Sequence, residues 1–166
     1  MSQTAPFRVT ALDSALDRTA FSSGIAPLDS YFKIQVSQDI KRRVTACFVA
    51  LTPGQQVAGY YTLSYASVGL GDLPAVVAKK LPRYPFVPTV RMGRLAVDRG
   101  FQGQGLGAAL LADALARAAR SEIAAYALLG DAKDETAAHF YRHHGFQVLP
   151  DQALTLFLPL ASVRTP

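Results

Sequence analysis

The sequence predicts one α+β (mixed α/β) domain, and three stretches carry that expectation. Two β-rich runs, VTACFVALT and QVAGYYTLSYASVGL, are joined by Pro53-Gly54-Gln55-Gln56, which marks a hairpin. A strand, a glycine turn, a helix, a second strand and a second helix then fill residues 89–145. Two shorter β-rich runs, FQVLP and ALTLFLPL, complete the pattern. Antiparallel strands followed by one alternating unit call for a mixed sheet with helices on its faces. The length of 166 residues fits one domain spanning 1–166, and half of the residues are apolar, enough to form a core without staples.

Each element has its own signal. Residues 6–11 (PFRVTA) read as a short first strand. A helical stretch runs from about Pro27 to Arg43, because proline suits a first helical position and Leu28, Tyr31, Phe32, Gln35, Val36, Asp39 and Ile40 recur at helix spacing. Lys41-Arg42-Arg43 suits its C-terminal end. After the hairpin, DLPAVVAKKLPRYPFVP carries four prolines, so it holds a short helix over about 73–80 and then a loop. A strand follows over about 89–97. Residues 104–120 form the clearest helix, with Leu106, Leu110, Leu111, Ala114, Leu115 and Ala118 in one apolar stripe. AAYALLGDA (124–132) reads as a fully buried strand, and DETAAHFYRHHG (134–145) as a helix capped by Gly145. The two closing strands are expected to pair.

Composition narrows the setting. A net charge of +5 and a pI near 9.6 favour an acidic partner such as nucleic acid or a polyanionic cofactor, and fit a plain basic surface equally well. The lone Cys47 sits in TACFVAL and reads as a buried core thiol in a reducing setting. MSQTAPFRV lacks the pattern of a signal peptide, and no apolar run approaches the ~18 residues of a membrane span. A soluble, cytoplasmic protein without membrane attachment is expected. His139, His143 and His144 lack metal-ligand spacing; they read as surface or RNA-facing groups, the adjacent pair on different faces.

The run RLAVDRGFQGQGLGAALLADAL begins at Arg94 and places Gly100, Gly103, Gly105 and Gly107 between a strand and a helix. A helix start offers unpaired N–H groups and partial positive charge, and glycines let a ligand approach the backbone. Such a turn is a phosphate cradle. A P-loop would need lysine and serine or threonine after its last glycine, but Ala108-Ala109 follow Gly107. Gly103, Gly105 and Ala108 satisfy the letters of a dinucleotide turn, with Asp131 as an acid for the ribose. Against that, the turn follows a hairpin, and about sixty residues remain, too few for the second half of a doubly wound domain.

Gln102-x-x-Gly105-x-Gly107 resembles the Q/R-x-x-G-x-G/A signature of the GNAT acyltransferase superfamily. Ala137-x-x-Phe140-Tyr141-x-x-x-Gly145-Phe146 is similar to a second element of that superfamily, A-x-x-F-Y-x-x-x-G-F. The resemblance implies the GNAT acyl-CoA N-acyltransferase fold, a central mixed, mostly antiparallel sheet splayed at the cofactor strand with helices on both faces. It implies acetyl-CoA as cosubstrate and no metal. The pyrophosphate would rest on the amides of Gln102, Gly103, Gln104, Gly105, Leu106, Gly107 and Ala108. The pantetheine arm would lie along Leu95, Ala96 and Val97, with the N–H of Leu95 or Val97 as oxyanion donor and Tyr141 as general acid. Asp134 departs from the pattern, standing where many members carry asparagine.

Longer stretches resemble the GNAT toxins of bacterial toxin–antitoxin modules: FSSGIAPLDSYF, VAGYYTLSYASV, VRMGRLAVDRGFQGQGLGAALLADAL, GDAKDETAAHFYRHHGF and LTLFLPL. That resemblance implies acetylation of the α-amine of aminoacyl-tRNA, which blocks translation. It also implies a ribbon-helix-helix antitoxin and a homodimer. The residues agree with such an acceptor in one respect. No carboxylate stands out as a general base, since Glu122, Asp134 and Glu135 read as helix-start residues. An α-amine titrates near ~7.7–8 and is partly neutral already, whereas a lysine side chain near ~10.4 needs help. Lys79, Lys80, Arg83, Arg91, Arg94 and Arg142 are candidate tRNA contacts, whose affinity would fall with salt. Tyr61 and Tyr65 are expected on one strand face and Tyr60 on the other, bordering the acceptor or packing the sheet. The rival functions are a GNAT acting on a small amine or a protein N-terminus, and a catalytically silent domain that binds coenzyme A or an antitoxin.

Overall fold

The computed structural model describes residues 7–163. Its strands are β1 (Arg8–Ala11), β2 (Ala46–Leu51), β3 (Val57–Gly69), β4 (Phe86–Val97), β5 (Ala127–Asp131), β6 (Gln147–Leu149) and β7 (Gln152–Pro159). They hydrogen-bond as one seven-stranded sheet in the order β1-β2-β3-β4-β5-β7-β6. β4 and β5 run parallel, while β1–β2, β2–β3, β5–β7 and β6–β7 are antiparallel. The mixed sheet expected from the sequence is therefore present. Pro6, the first residue of the expected opening strand, lies outside the described residues.

The chain forms two compact units. The first combines residues up to Leu63 with Arg94–Ala114. Its helical stretch is α1 (Ala26–Ser30), a π-helical turn (Tyr31–Gln35) and α2 (Val36–Lys41). Helix was expected here through Arg43, but Arg43 adopts φ 61°, which ends the helix two residues earlier. The apolar face of this stretch buries Phe32 and Val36 against Phe21, Cys47, Val49, Tyr60 and Ala96. Phe32 and Tyr60 stack with centroids 4.3 Å apart, and the Tyr60 hydroxyl donates to the Leu28 carbonyl at 2.7 Å. Burial pushes the Cys47 thiol up to about 12, so it stays protonated as a core group. The β2–β3 hairpin turns where expected, with the Thr52 N–H donating to the Gln56 carbonyl at 3.0 Å. Gln55, not Gly54, takes the left-handed conformation, at φ 69°.

The second unit combines Ser64–Gly93 with the described residues from Leu115 onward. Its core gathers Val68, Leu73, Val87, Ala127, Leu129, Leu149 and Phe157. The short helix among the prolines is α3 (Ala75–Ala78), and β4 begins at Phe86, earlier than expected, tolerating Pro88 within the strand. α4 (Leu106–Arg120) runs from the first unit into the second, and α5 (Glu135–His143) belongs to the second. No helix among the described residues is long and apolar enough to cross a membrane.

α5 closes with a Schellman motif. The Phe146 N–H donates to the Tyr141 carbonyl at 3.1 Å and the Gly145 N–H to the Arg142 carbonyl at 3.0 Å. Gly145 makes this possible at φ 92°. Apolar contact completes it, with the Tyr141 and Phe146 rings 5.2 Å apart. A Cβ at this φ costs about 1–2 kcal/mol. Gly145→Ala should therefore lower the melting temperature by roughly 2–8 °C, measured by thermal unfolding; an unchanged melting temperature would show that the cap carries no strain.

Candidate active site

β4 delivers its last residues into a tightly tied turn. Asp98 accepts from the Ser22 and Gly100 N–H groups, both at 2.9 Å, and the Arg99 N–H donates to the Ser22 carbonyl at 2.8 Å. The Gln102 side chain donates to the Ser23 carbonyl at 3.0 Å and the Val97 carbonyl at 2.9 Å. Ser23 is itself buried and fixed, its hydroxyl donating to Asp29 at 2.6 Å. Gln102 thus spends its side chain inside the protein and leaves its backbone to the turn. It also takes up the carbonyl of Val97, the last residue of β4.

Beyond Gln102, Gly103 and Gly105 adopt φ 79° and 80°. A Cβ at either position would meet nothing within 4 Å, so these glycines are set by backbone conformation and face open space. α4 then begins at the buried Leu106, and its first helical bond runs from the Ala109 N–H to the Gly105 carbonyl at 3.1 Å. The amides ahead of that bond have no helical acceptor, and the helix dipole adds positive potential there. Among residues 102–108, Gln102, Gly103, Gln104 and Gly105 are exposed, and Gly107 and Ala108 are half-buried. This arrangement fits a pyrophosphate.

The strand before the turn is equally constrained. Ala96 is buried, with Leu95 and Val97 half-buried on either side. Gly59 on β3 leaves room for it: a Cβ there would lie 2.9 Å from the Ala96 carbonyl oxygen and 2.9 Å from Leu110. The parallel β4–β5 register ends at Met92↔Gly130, five residues short of the end of β4. Arg94, at the head of this segment, lies over the Tyr31 ring at 3.4 Å, and the Tyr31 hydroxyl donates to Asp39 at 2.7 Å.

Tyr141 belongs to the second unit. Asp134 caps α5 by accepting the Ala137 N–H at 2.9 Å, and Lys133 donates to the same carboxylate at 2.7 Å. Aspartate therefore serves as an N-cap where the family pattern has asparagine. Tyr141 follows near the end of the helix, 3% exposed. Burial, reinforced by the Asp131 carboxylate, raises its pKa above the ordinary tyrosine value, so the phenol is neutral at physiological pH. The structure shows Arg91 paired with Asp131 at 3.4 Å.

The candidate cations divide into two groups. Lys79, Lys80 and Arg83 are exposed and make no ion pair among the described residues. Arg91, Arg94 and Arg142 are engaged, with Asp131, Tyr31 and Glu135 respectively. Exposed Tyr84 and Phe86 adjoin the free cations in the chain. Glu122 lies in the bend after α4, not at a helix start, because α4 ends at Arg120. His143 and His144 meet edge to face at 5.2 Å, contrary to the separate faces expected, because His144 has left the helix at φ −94°, ψ 18°. No group of three or more His, Cys, Asp or Glu among the described residues is placed to hold a metal ion. Tyr60 and Tyr61 are both fully buried, Tyr61 stacked on Phe48 and bonded to Asp113, whereas Tyr65 is exposed. Asp98 and the Tyr31–Asp39 pair escaped sequence reasoning. An aspartate directly after a strand and two residues before a glycine is an Asx-turn signal that could have found Asp98.

A glycine turn at a helix start and the strand that leads into it fit the class of acyl-CoA-dependent N-acyltransferases. The model of the acetyltransferase (GNAT) domain matches residues 44–148, and the chain belongs to that family. It is 37% identical over 162 residues to a tRNA-acetylating toxin of Mycobacterium tuberculosis (strain ATCC 25618 / H37Rv), covering 96% of this chain and 94% of that protein. It is 30% identical to a probable toxin TacT of Sinorhizobium fredii (strain NBRC 101917 / NGR234), covering 90% and 88%. Among solved structures it resembles AtaT complexed with acetyl-methionyl-tRNAfMet, with a TM-score of 0.87, 31% identity and 95% and 96% of the two chains covered. It also resembles AtaTR bound with acetyl-CoA, with a TM-score of 0.83, 29% identity and coverage of 95% and 96%.

The raised pKa of Tyr141 fixes a pH dependence. A group whose pKa rises keeps its proton to higher pH, so Tyr141 should not deprotonate below pH 10. At saturating substrate, kcat for acetyl transfer should show no alkaline decline up to pH 10. A decline centred below pH 9 that is absent from Tyr141→Phe would contradict this.

Proposed function

We propose that this acetyltransferase moves the acetyl group of acetyl-CoA to the α-amine of an amino acid esterified to tRNA. In this reading it is a cytoplasmic toxin that blocks translation, works as a homodimer through one domain spanning the chain, and is neutralised by a ribbon-helix-helix antitoxin. The observation that carries the reading is the end-to-end likeness to a tRNA-bound acetyltransferase, which covers 95% of this chain.

The local chemistry supports it. Acetyl-CoA supplies an acetyl thioester, whose transfer releases a thiolate that must gain a proton. Tyr141 holds such a proton at neutral pH and is the general acid. The amides of residues 102–108 hold the pyrophosphate, Leu95, Ala96 and Val97 line the pantetheine arm, and the Leu95 or Val97 N–H is the oxyanion donor. Asp98 and Asp134 are occupied in capping backbone N–H groups. An α-amine, already partly neutral near pH 8, suits a site without a committed base.

RNA contact is assigned to Lys79, Lys80, Arg83, Arg91, Arg94 and Arg142, of which the first three make no ion pair among the described residues while the others rest against Asp131, Tyr31 and Glu135. Tyr84 and Phe86, 71% and 64% exposed, offer ring faces on which unpaired bases stack. Replacing the three free cations with glutamine should flatten the dependence of log affinity on log salt by about 0.7–0.9 per lost phosphate contact. Tyr84→Ala and Phe86→Ala should weaken tRNA binding without changing that slope.

The decisive assay offers labelled acetyl-CoA together with charged tRNA, uncharged tRNA and a lysine peptide. Label is expected on charged tRNA alone. Label on the peptide but not on charged tRNA would overturn the proposal in favour of a protein acetyltransferase.

A further inference from the structure

Gly130 stands fourth in the buried strand β5, and its φ lies outside the left-handed region. Its backbone conformation is one that any residue adopts, so the need for glycine arises from space. A Cβ built on Gly130 would lie 2.7 Å from Cε1, 2.8 Å from Cζ and 3.0 Å from Cδ1 of Tyr141. These are atoms on one edge of the ring, and Cζ bears the hydroxyl. Tyr141 therefore packs against bare backbone at Gly130.

Neither side of this contact can give way easily. The Gly130 backbone is laddered on both sides, in register with Met92 of β4 and Leu156 of β7. The Tyr141 backbone is held by the Schellman motif, and its carbonyl also accepts the His144 N–H at 3.0 Å. Its ring is bounded by Phe140 and Phe146, with centroids 5.6 and 5.2 Å away. A methyl at position 130 must therefore push the ring itself. Because the phenol is rigid, displacing Cζ displaces the hydroxyl by a similar amount.

We propose that Gly130 is a positioning residue for the acetyl-transfer step: the absent side chain at this point of β5 sets where the Tyr141 hydroxyl sits. The inference rests on Tyr141 being the general acid. Relieving contacts of 2.7–3.0 Å to ordinary van der Waals separation needs a shift of about 1 Å, and such a misplacement can cost about 100-fold in rate.

A double-mutant cycle tests it in the full-length protein. Initial rates with labelled acetyl-CoA and charged tRNA are measured for the wild type, Gly130→Ala, Tyr141→Phe and the double variant. Gly130→Ala should lower kcat about 10- to 100-fold and leave KM for acetyl-CoA within about twofold. In the Tyr141→Phe background, the same substitution should cause no further loss, because the hydroxyl it displaces is gone. Losses that multiply, or a Gly130→Ala variant with wild-type kcat, would overturn the inference. If Tyr141→Phe keeps wild-type kcat, the general-acid reading fails first and the inference falls with it, a separate outcome. Should Gly130→Ala fold poorly, Gly130→Ala combined with Phe146→Leu gives the ring room to retreat. That folded variant should still lose kcat relative to Phe146→Leu alone, and equal rates for the two would also overturn the inference.

Discussion

A helix that starts in a glycine turn has amide protons that its own backbone cannot accept, and that constraint organises the first unit. The amides ahead of the Ala109–Gly105 bond point wherever the turn aims them. Asp98 and Gln102 set the aim by tying the turn to Ser22 and Ser23. Ser23 is secured in turn by Asp29 on α1, and Phe21, just ahead of these serines, is buried with Phe32 and Tyr60. The polar ties of the turn are thus anchored in an apolar core. Glycine at 103 and 105 permits the backbone path, and buried Leu106 fixes where the helix begins.

The second unit meets a different constraint, the placement of one buried phenol. Tyr141 is neutral because burial disfavours phenolate and the nearby Asp131 disfavours it further. The Schellman motif holds its backbone, and the bare backbone of Gly130 receives its ring. A phenol held this way can donate a proton but is poorly suited to accept one from an amine. This asymmetry agrees with an acceptor amine that is partly neutral before it arrives.

Much of this was legible in the sequence because it depends on local signals. Apolar periodicity gave α4, Pro-Gly punctuation gave the β2–β3 hairpin, and the glycine spacing gave the turn ahead of α4. Gly145 announced the end of α5. What escaped was set by partners distant in the chain. The π-helical turn at Tyr31–Gln35 has no propensity signature of its own, and with it came the stacking of Tyr31 under Arg94. Nothing local in the sequence announces that Arg91 pairs with Asp131 and Arg142 with Glu135. Gly130 looked like an ordinary small residue in a buried strand, since nothing local shows that a ring from α5 occupies the space of its Cβ.

We propose that the turn at residues 102–108 recognises the pyrophosphate of acetyl-CoA through its backbone. The most direct measurement is calorimetric titration of the wild type and Gly105→Ala with acetyl-CoA and with acetyl-pantetheine, which lacks the pyrophosphate. Alanine at φ 80° disturbs the turn while its Cβ meets no neighbouring atom within 4 Å. Gly105→Ala should weaken acetyl-CoA at least tenfold and leave acetyl-pantetheine unchanged. Equal losses for both ligands, or no loss for either, would contradict the account.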